Sequence, residues 1–380
     1  MIHRDITKKL LDMVAKYPIL TLTGPRQSGK STLLRKVFPD YEYVSLEDPD
    51  MRMFAQEDPR QFLNNYSGKV FIDEVQRVPS IFSYLQTHVD NLGKNGMYLL
   101  AGSQNFLLMQ SITQSLAGRT AVMKLMPFSH AEMKREKILP TTVYEEIFKG
   151  AYPRIYNADI NPVDFYPHYV QTYVERDVRL MQNVEDLSKF IRFVKLCAGR
   201  IGQLLSYTSL ANDCGISVST AQAWISILEA SYIVYLLKPE FRNYSKRLVK
   251  TPKLYFYDTG LACSLLEIKD AAQVAAHFLR GGLFENLVIN EFTKNAYNSG
   301  EEPQLTFWRD KTGNEVDLVH AAAGKQYAYE IKSGFTYASD YFKGLTLWAK
   351  YAAAQPEQCN VVYAGAKNLT TKKGNIFGWR

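Results

Sequence analysis

Along the first third of the chain, apolar residues come in short bursts separated by polar turns. Residues 18–23 (Pro-Ile-Leu-Thr-Leu-Thr), 41–46, 69–74, 97–101 and 120–125 are brief, β-prone runs, the pattern of strands buried on both faces. Helical segments lie between them. One follows the first strand at 32–37. A short one opens at Asp58, an N-cap, with Pro59 at its first helical position. Another runs from Asn105 to Ala117 and stops at Gly118. Strands alternating with helices predict a parallel, doubly wound α/β sheet over residues 1–135.

From residue 136 the hydrophobic period becomes helical. The aromatic and aliphatic stripe in 166–178 predicts a helix facing a core. Residues 209–214 predict a short helix, Gly215 a turn, 217–229 a second helix capped by Ser217 or Ser219, and 232–237 a strand. Helix, glycine turn, helix and strand are the parts of a winged helix-turn-helix. Ser219, Thr220 and Gln222 open its recognition helix. Arg242, Lys246, Arg247, Lys250 and Lys253 follow with no acid among them, a set suited to gripping phosphates. Two uses fit such a unit, DNA contact and protein packing. From residue 281 the pattern is mixed: an amphipathic helix at 283–292, then strands at 306–309, 314–319 and 326–332. The expected organisation is 1–135, 136–280 and 281–380.

With 380 residues, two or three domains are expected. A hydrophobic content of 46% and a charged content of 22% describe a soluble globular chain. No run has the ~20 apolar residues of a membrane helix, and the first residues lack a signal-peptide core. Four widely spaced cysteines (Cys197, Cys214, Cys263, Cys359) have no metal-ligand spacing and read as reduced thiols in the cytoplasm. The net charge of +7 lends weak support to an acidic partner such as DNA.

The chemistry concentrates at Gly24-Pro25-Arg26-Gln27-Ser28-Gly29-Lys30-Ser31, which meets every fixed position of the P-loop pattern, followed by Thr32. Its glycines let backbone N–H groups turn toward phosphate oxygens. Lys30 brings a cation to the β- and γ-phosphates, and Ser31 offers a hydroxyl to Mg²⁺. The strand before it and the helix after it are the context the motif requires. Residues 69–74 run into Asp73 and Glu74, a Walker B pattern: Asp73 for Mg²⁺, Glu74 for the attacking water. Ser103 at the tip of the fourth strand, with Gln104 as second choice, is a candidate γ-phosphate sensor or equally a helix cap. Arg154 is a candidate lid arginine. Asp317, Glu330 and Lys332 form an acid followed by Glu-x-Lys on the next strand. Residues two apart on a strand share a face, so Glu330 and Lys332 point to one spot. Glu285 from the helix could complete a metal-dependent hydrolytic site, and a salt-bridged sheet edge is the competing reading.

Taken in order, the P-loop, the string VFIDE, Leu116 to Arg119 (LAGR), the string TAQAWISILEASYIV and the closing GLFENLVINE, FWRD, EVDLV and YEIKSG resemble the AAA-domain ATPases with a C-terminal DUF4143 domain (the AAA_14/DUF4143 group) over essentially the full chain. Ala151 departs from the glycine usual there. The resemblance implies an AAA+-type ATPase using ATP and Mg²⁺, a homo-oligomer such as a hexameric ring, and action on DNA. A nucleotide-gated switch for a protein partner and an ATP-gated nuclease are the alternatives. In ring-forming AAA+ enzymes the place of Arg119 carries an arginine finger that reaches a neighbour's γ-phosphate; an arginine interacting with a helix C-terminus is the other reading. The C-terminal segment resembles the PD-(D/E)xK nucleases, which implies a restriction-endonuclease-like α/β fold with Glu285, Asp317, Glu330 and Lys332 at its site.

Overall fold

The computed structural model describes residues 2–66, 68–103, 112, 114–174, 186–240 and 250–380. Gln104, most of the helix expected from Asn105, the end of the aromatic stripe from Glu175, and Arg242, Lys246 and Arg247 lie outside them.

The first layer is built on five parallel strands: β1 (Ile19–Thr23), β2 (Glu42–Ser45), β3 (Val70–Asp73), β4 (Tyr98–Gly102) and β5 (Thr120–Lys124), in the order β2-β3-β4-β1-β5. Alternation on each strand feeds two cores. Ile19, Val70, Ile72, Tyr98 and Leu100 face one, with α4 (Pro59–Asn65) and α5 (Ile81–Leu92). Leu20, Leu22, Phe71, Leu99 and Ala101 face the other, with α1 (Thr7–Val14) and α2 (Lys30–Val37). The helix α3 (Pro49–Glu57) precedes α4, and Asp58 caps α4 by accepting from the Gln61 amide. Both faces are therefore covered, as an all-parallel sheet requires.

Short helices follow: α6 (His130–Arg135), α7 (Val143–Lys149), α8 (Pro153–Asn157) and α9 (Pro162–Tyr169). Tyr166 and Tyr169 of the aromatic stripe are buried, as their spacing predicts, and Phe165 just before it is buried too. Next come α10 (Leu187–Ala198), α11 (Tyr207–Cys214) and α12 (Val218–Ala230). Gly215 takes the left-handed conformation between α11 and α12, at φ 70°. The Ser217 side chain caps α12 through the Thr220 amide. Trp224 locks α12 against α10, its ring 5.2 Å from Phe190 and 5.3 Å from Phe193. The hairpin strands β6 (Val234–Pro239) and β7 (Lys253–Phe256) then pair antiparallel.

That hairpin does not stand apart. After α13 (Thr259–Leu265), α14 (Ala271–Ala276) and α15 (Arg280–Asn298) come β8 (Leu305–Arg309), β9 (Glu315–Ala322), β10 (Lys325–Lys332), α16 (Lys343–Ala352), β11 (Cys359–Tyr363), β12 (Leu369–Thr371) and β13 (Gly374–Gly378). Lys238 and Pro239 of β6 pair parallel with Thr306 and Phe307 of β8. One mixed sheet of eight strands results, in the order β12-β13-β11-β10-β9-β8-β6-β7. A single hydrophobic core runs beneath it from Val143 to Ala364, and a second, around Trp308 and Trp348, lies under α16. All four cysteines are free and buried. Among the described residues no helix is long and apolar enough to cross a membrane.

Candidate functional site

The P-loop leaves the C-terminal end of β1 and turns into α2. Gly24 sits at φ 145°, and a Cβ there would lie 2.2 Å from the Leu125 carbonyl oxygen, so only glycine lets the loop pass β5. Gly29, left-handed at φ 94°, caps α2, and nothing stands within 4 Å of where its Cβ would be. The first-turn amides of α2 therefore face an open approach, with the dipole favouring an anion. The buried Lys30 ammonium donates to the carbonyls of Gly24 (3.0 Å) and Pro25 (2.8 Å), inside the curve of the loop. Ser31 and Thr32 follow in the first turn of α2, after Arg26, Gln27 and Ser28 in the loop.

The sheet order brings three strand ends to this loop. Asp73 ends β3, and its carboxylate accepts from the Glu74 amide (3.0 Å) and from the Tyr43 hydroxyl (3.1 Å) of β2. Burial, reinforced by the Asp73 charge, raises the Tyr43 pKa, which keeps that hydroxyl a donor. Glu74 itself is left-handed at φ 52°, an uncommon and strained place for a non-glycine residue. Its carboxylate accepts 2.6 Å from the Gln76 amide nitrogen and 3.4 Å from the Ser103 hydroxyl just beyond β4. The expected sensor thus touches the expected base. The Ser31 hydroxyl and the Asp73 carboxylate are hard oxygen donors of the kind Mg²⁺ takes, so the donor set fits that ion.

Beside the loop lies a cavity of about 400 Å³, lined by Ile2, Leu33, Phe128 and Pro153 together with Arg4 and Arg154. Arg4 is buried. It donates to Glu132 (3.1 Å), to the Ser28 carbonyl (3.1 Å) and to the Met126 carbonyl (2.6 Å). Neither Gln76 nor Arg4 was expected from sequence. Gln76 had a readable signal, its position two residues past the Walker B glutamate; Arg4 had none, because its partners come from three distant segments.

Arg119 lies at the opposite end of the sheet, just before β5 starts. It is bidentate on Asp90 of α5, at 2.7 and 2.8 Å. That hydrogen-bonded partner raises the Arg119 pKa and lowers that of Asp90. At the head of α12, Ser219 and Gln222 are exposed and Thr220 is half-buried. Lys250 is exposed too. Lys253 is not available as a phosphate grip: its side chain is 3% exposed and turned into the C-terminal sheet.

There it meets the acids expected of a nuclease. Lys253 Nζ lies 2.9 Å from Glu285, 3.8 Å from Asp317 and in direct contact with Glu315. The Tyr255 hydroxyl also donates to Glu285. Asp317 and Glu330 stand on paired strands, and the other Asp317 oxygen accepts from the Ile331 amide at 2.8 Å. Lys332 lies 2.5 Å from Glu330, and Arg309 lies 2.6 Å from Glu315. Burial pushes Glu285 up to about 7 against the pull of Lys253, and burial with the Asp317 charge pushes Glu330 up to about 8. Burial opposes the charge of Lys253, but Glu285, Asp317 and Glu315 outweigh it and raise the ammonium pKa. Desolvation likewise opposes the charge of Lys332, and Asp317 and Glu330 raise its pKa. Glu285, Asp317, Glu330 and Lys332 do converge, then, with a fifth member that the sequence reading had assigned elsewhere. Among the described residues no group of His, Cys, Asp and Glu is arranged to hold a metal ion.

Three family models match the chain in succession: an AAA domain over residues 16–134, a domain of unknown function (DUF8612) over 140–272 and a domain of unknown function (DUF4143) over 280–379. The uncharacterized protein Rv2008c of Mycobacterium tuberculosis is similar, 29% identical over 336 residues, which are 87% of this chain and 74% of that protein. Among solved structures, the Walker-type ATPase PABY2304 of Pyrococcus abyssi is similar at 16% identity, covering 69% of this chain and 94% of its own, with a TM-score of 0.41. AMPPCP-bound DnaA from Aquifex aeolicus is similar at 14% identity, covering 59% and 85%, with a TM-score of 0.31. At such scores the likeness carries nothing about partners or substrates.

Proposed function

Taking the chain as an AAA domain of P-loop ATPase fold joined to a C-terminal DUF4143 domain, we propose that it is a Mg²⁺-dependent ATPase that acts on DNA. The observation that carries the ATPase part is the convergence of Lys30, Asp73, Glu74 and Ser103 at one edge of the sheet.

In this reading the amides of Gly29 to Thr32 hold the phosphates, and Lys30 turns from the loop carbonyls to the β- and γ-oxygens. Ser31 and Asp73 would hold the Mg²⁺, which supplies charge neutralisation at the phosphates. Glu74 takes the proton of the attacking water, and Gln76 and Ser103 fix the direction its carboxylate faces. The apolar wall of Ile2, Leu33, Phe128 and Pro153 suits the base, with Arg154 within the same cavity. Arg119, at the far edge of the sheet, has no route to its own nucleotide and is assigned to a neighbouring subunit's γ-phosphate. This makes a homo-oligomeric ring the working assembly.

Contact with DNA rests on the exposed head of α12, where Ser219 and Gln222 face outward, and on the net charge of +7. Withdrawal of Lys253 into the protein weakens the basic set behind it. The test is duplex binding across a salt series, run beside ATP turnover. DNA action predicts affinity that falls as a power of salt concentration, because phosphate contacts release counterions, and turnover that rises with DNA. Turnover indifferent to DNA, with no salt-dependent binding, would leave a nucleotide-gated switch for a protein partner.

A further inference from the structure

A fold with an acid on one strand and Glu-x-Lys on the next implies a divalent metal between those strands, and here the donor set does not fit one. Lys253 Nζ already stands against Glu285, Glu315 and Asp317. Mg²⁺ takes its oxygens at about 2.0–2.1 Å, so an ion on Asp317 and Glu285 would be pressed against a fixed ammonium whose side chain is 3% exposed. Asp317 Oδ2 is engaged by the Ile331 amide and Glu330 Oε1 by Lys332, which leaves Glu330 Oε2, buried and without a hydrogen-bond partner, as a single open oxygen, too few for the octahedral shell that Mg²⁺ demands.

We propose that Lys253 is a built-in counter-cation that takes the place of the metal, so that this pocket receives the hairpin strand β7 rather than a divalent ion. The lysine and the acids come from different parts of the chain. Lys253 opens β7, which belongs to the hairpin after α12, whereas Glu285 is on α15 and Glu315 and Asp317 are on β9. β7 touches the sheet only through β6 in the strand order, and the Lys253 ion pairs are a second attachment that crosses beneath β8. The Lys253 ammonium lies 5.5 Å from the Phe307 ring of β8, which completes its enclosure. Most of the charge is matched without an ion: three cations, Lys253, Lys332 and Arg309, stand against four acids, Glu285, Glu315, Asp317 and Glu330, and burial with the Asp317 charge favours the neutral form of Glu330. In this arrangement the C-terminal domain does not cut phosphodiesters by a metal-dependent route. Its acids hold the helix-turn-helix unit in a fixed orientation on the sheet.

The experiment is a Mn²⁺ titration of nucleotide-free, full-length protein, read by the electron paramagnetic resonance of free Mn²⁺. It does not depend on ATP turnover, so it fails or succeeds apart from the ATPase reading. Wild type and Asp317→Asn should bind Mn²⁺ alike and weakly. Lys253→Met should gain a site about 10-fold tighter or more, and Asp317→Asn in that background should remove it. Tight Mn²⁺ binding by wild type that Asp317→Asn abolishes would overturn the proposal, as would a folded Lys253→Met protein that gains no Mn²⁺ site. Should Lys253→Met not fold, the comparison of wild type with Asp317→Asn decides alone, and Glu330→Gln serves as its replicate.

Discussion

At the scale of single residues, Glu74 is a constrained group beside the P-loop, left-handed at φ 52°. A left-handed backbone angle is a cost that persists only when neighbours over-determine it, and here the Asp73 carboxylate accepts the Glu74 amide while Gln76 and Ser103 hold its carboxylate. In the proposed mechanism Gln76 is then a positioning residue, acting through Glu74 rather than on phosphate. Gln76→Leu should therefore lower kcat by about 10- to 100-fold, the effect of a base displaced by an ångström or so, while KM for ATP stays within about twofold. A matched rise in KM would place Gln76 on the nucleotide instead. The placement of the P-loop between β1 and α2, and of Asp73 and Glu74 at the end of β3, was legible because the motif fixes residue types at set spacings between a strand and a helix. Gln76 was marked only by its place two residues past Glu74, and Arg4 was not marked at all, since Glu132 and the Ser28 and Met126 carbonyls meet it only in the folded chain. Lys253 shows the opposite failure. A lysine in a basic run reads as solvent-facing, yet the isolated position at the head of β7 turns it inward to three acids.

At the scale of elements, strand order decides which of these residues can meet. Parallel β1, β3 and β4 all end on one edge of the sheet, so Lys30, Asp73 and Ser103 gather there although 73 residues separate the first from the last. The same order sends Arg119, which precedes β5, to the other edge. Every strand of the first sheet was readable from short apolar runs, with ends shifted by a residue or two. The strands β8, β9 and β10 were readable too. What sequence did not carry was the parallel pairing of β6 with β8, because strand pairing between distant segments is settled by shared burial and not by local pattern. The position of Arg119 yields an element-level prediction. Arg119→Ala and Glu74→Gln subunits, each inactive alone, should recover part of the turnover when mixed, because some interfaces then pair an intact finger with an intact base. Recovery absent at every ratio would assign Arg119 to its ion pair with Asp90 and nothing more.

At the scale of the whole molecule, the ATPase layer and the C-terminal sheet are tied by buried polar contacts rather than by a loose linker. Lys294 of α15 donates to the Phe128 carbonyl at 2.8 Å, and Phe128 walls the cavity beside the P-loop. Glu291 of the same helix accepts from the amides of His130 and Ala131 at the start of α6 (2.8 and 3.2 Å). Glu132 of α6 holds Arg4, and Arg4 holds the Ser28 carbonyl. On the other side, Glu146 of α7 joins His130 (2.7 Å) to Trp379 (2.9 Å) and Arg380 (3.2 Å). Such buried networks specify one arrangement, since a partner removed leaves a buried charge unpaired. They give the nucleotide site a physical connection to the sheet that holds the helix-turn-helix unit. All of this depends on the P-loop edge being a working hydrolytic site. The most direct test is steady-state phosphate release from Mg·ATP by the wild-type chain, by Lys30→Ala and by Glu74→Gln, with nucleotide binding measured on the same preparations. The account predicts turnover by wild type, loss of binding and turnover in Lys30→Ala, and retained binding with turnover reduced about 10²- to 10⁴-fold in Glu74→Gln. Wild-type turnover that survives unchanged in both variants would contradict it.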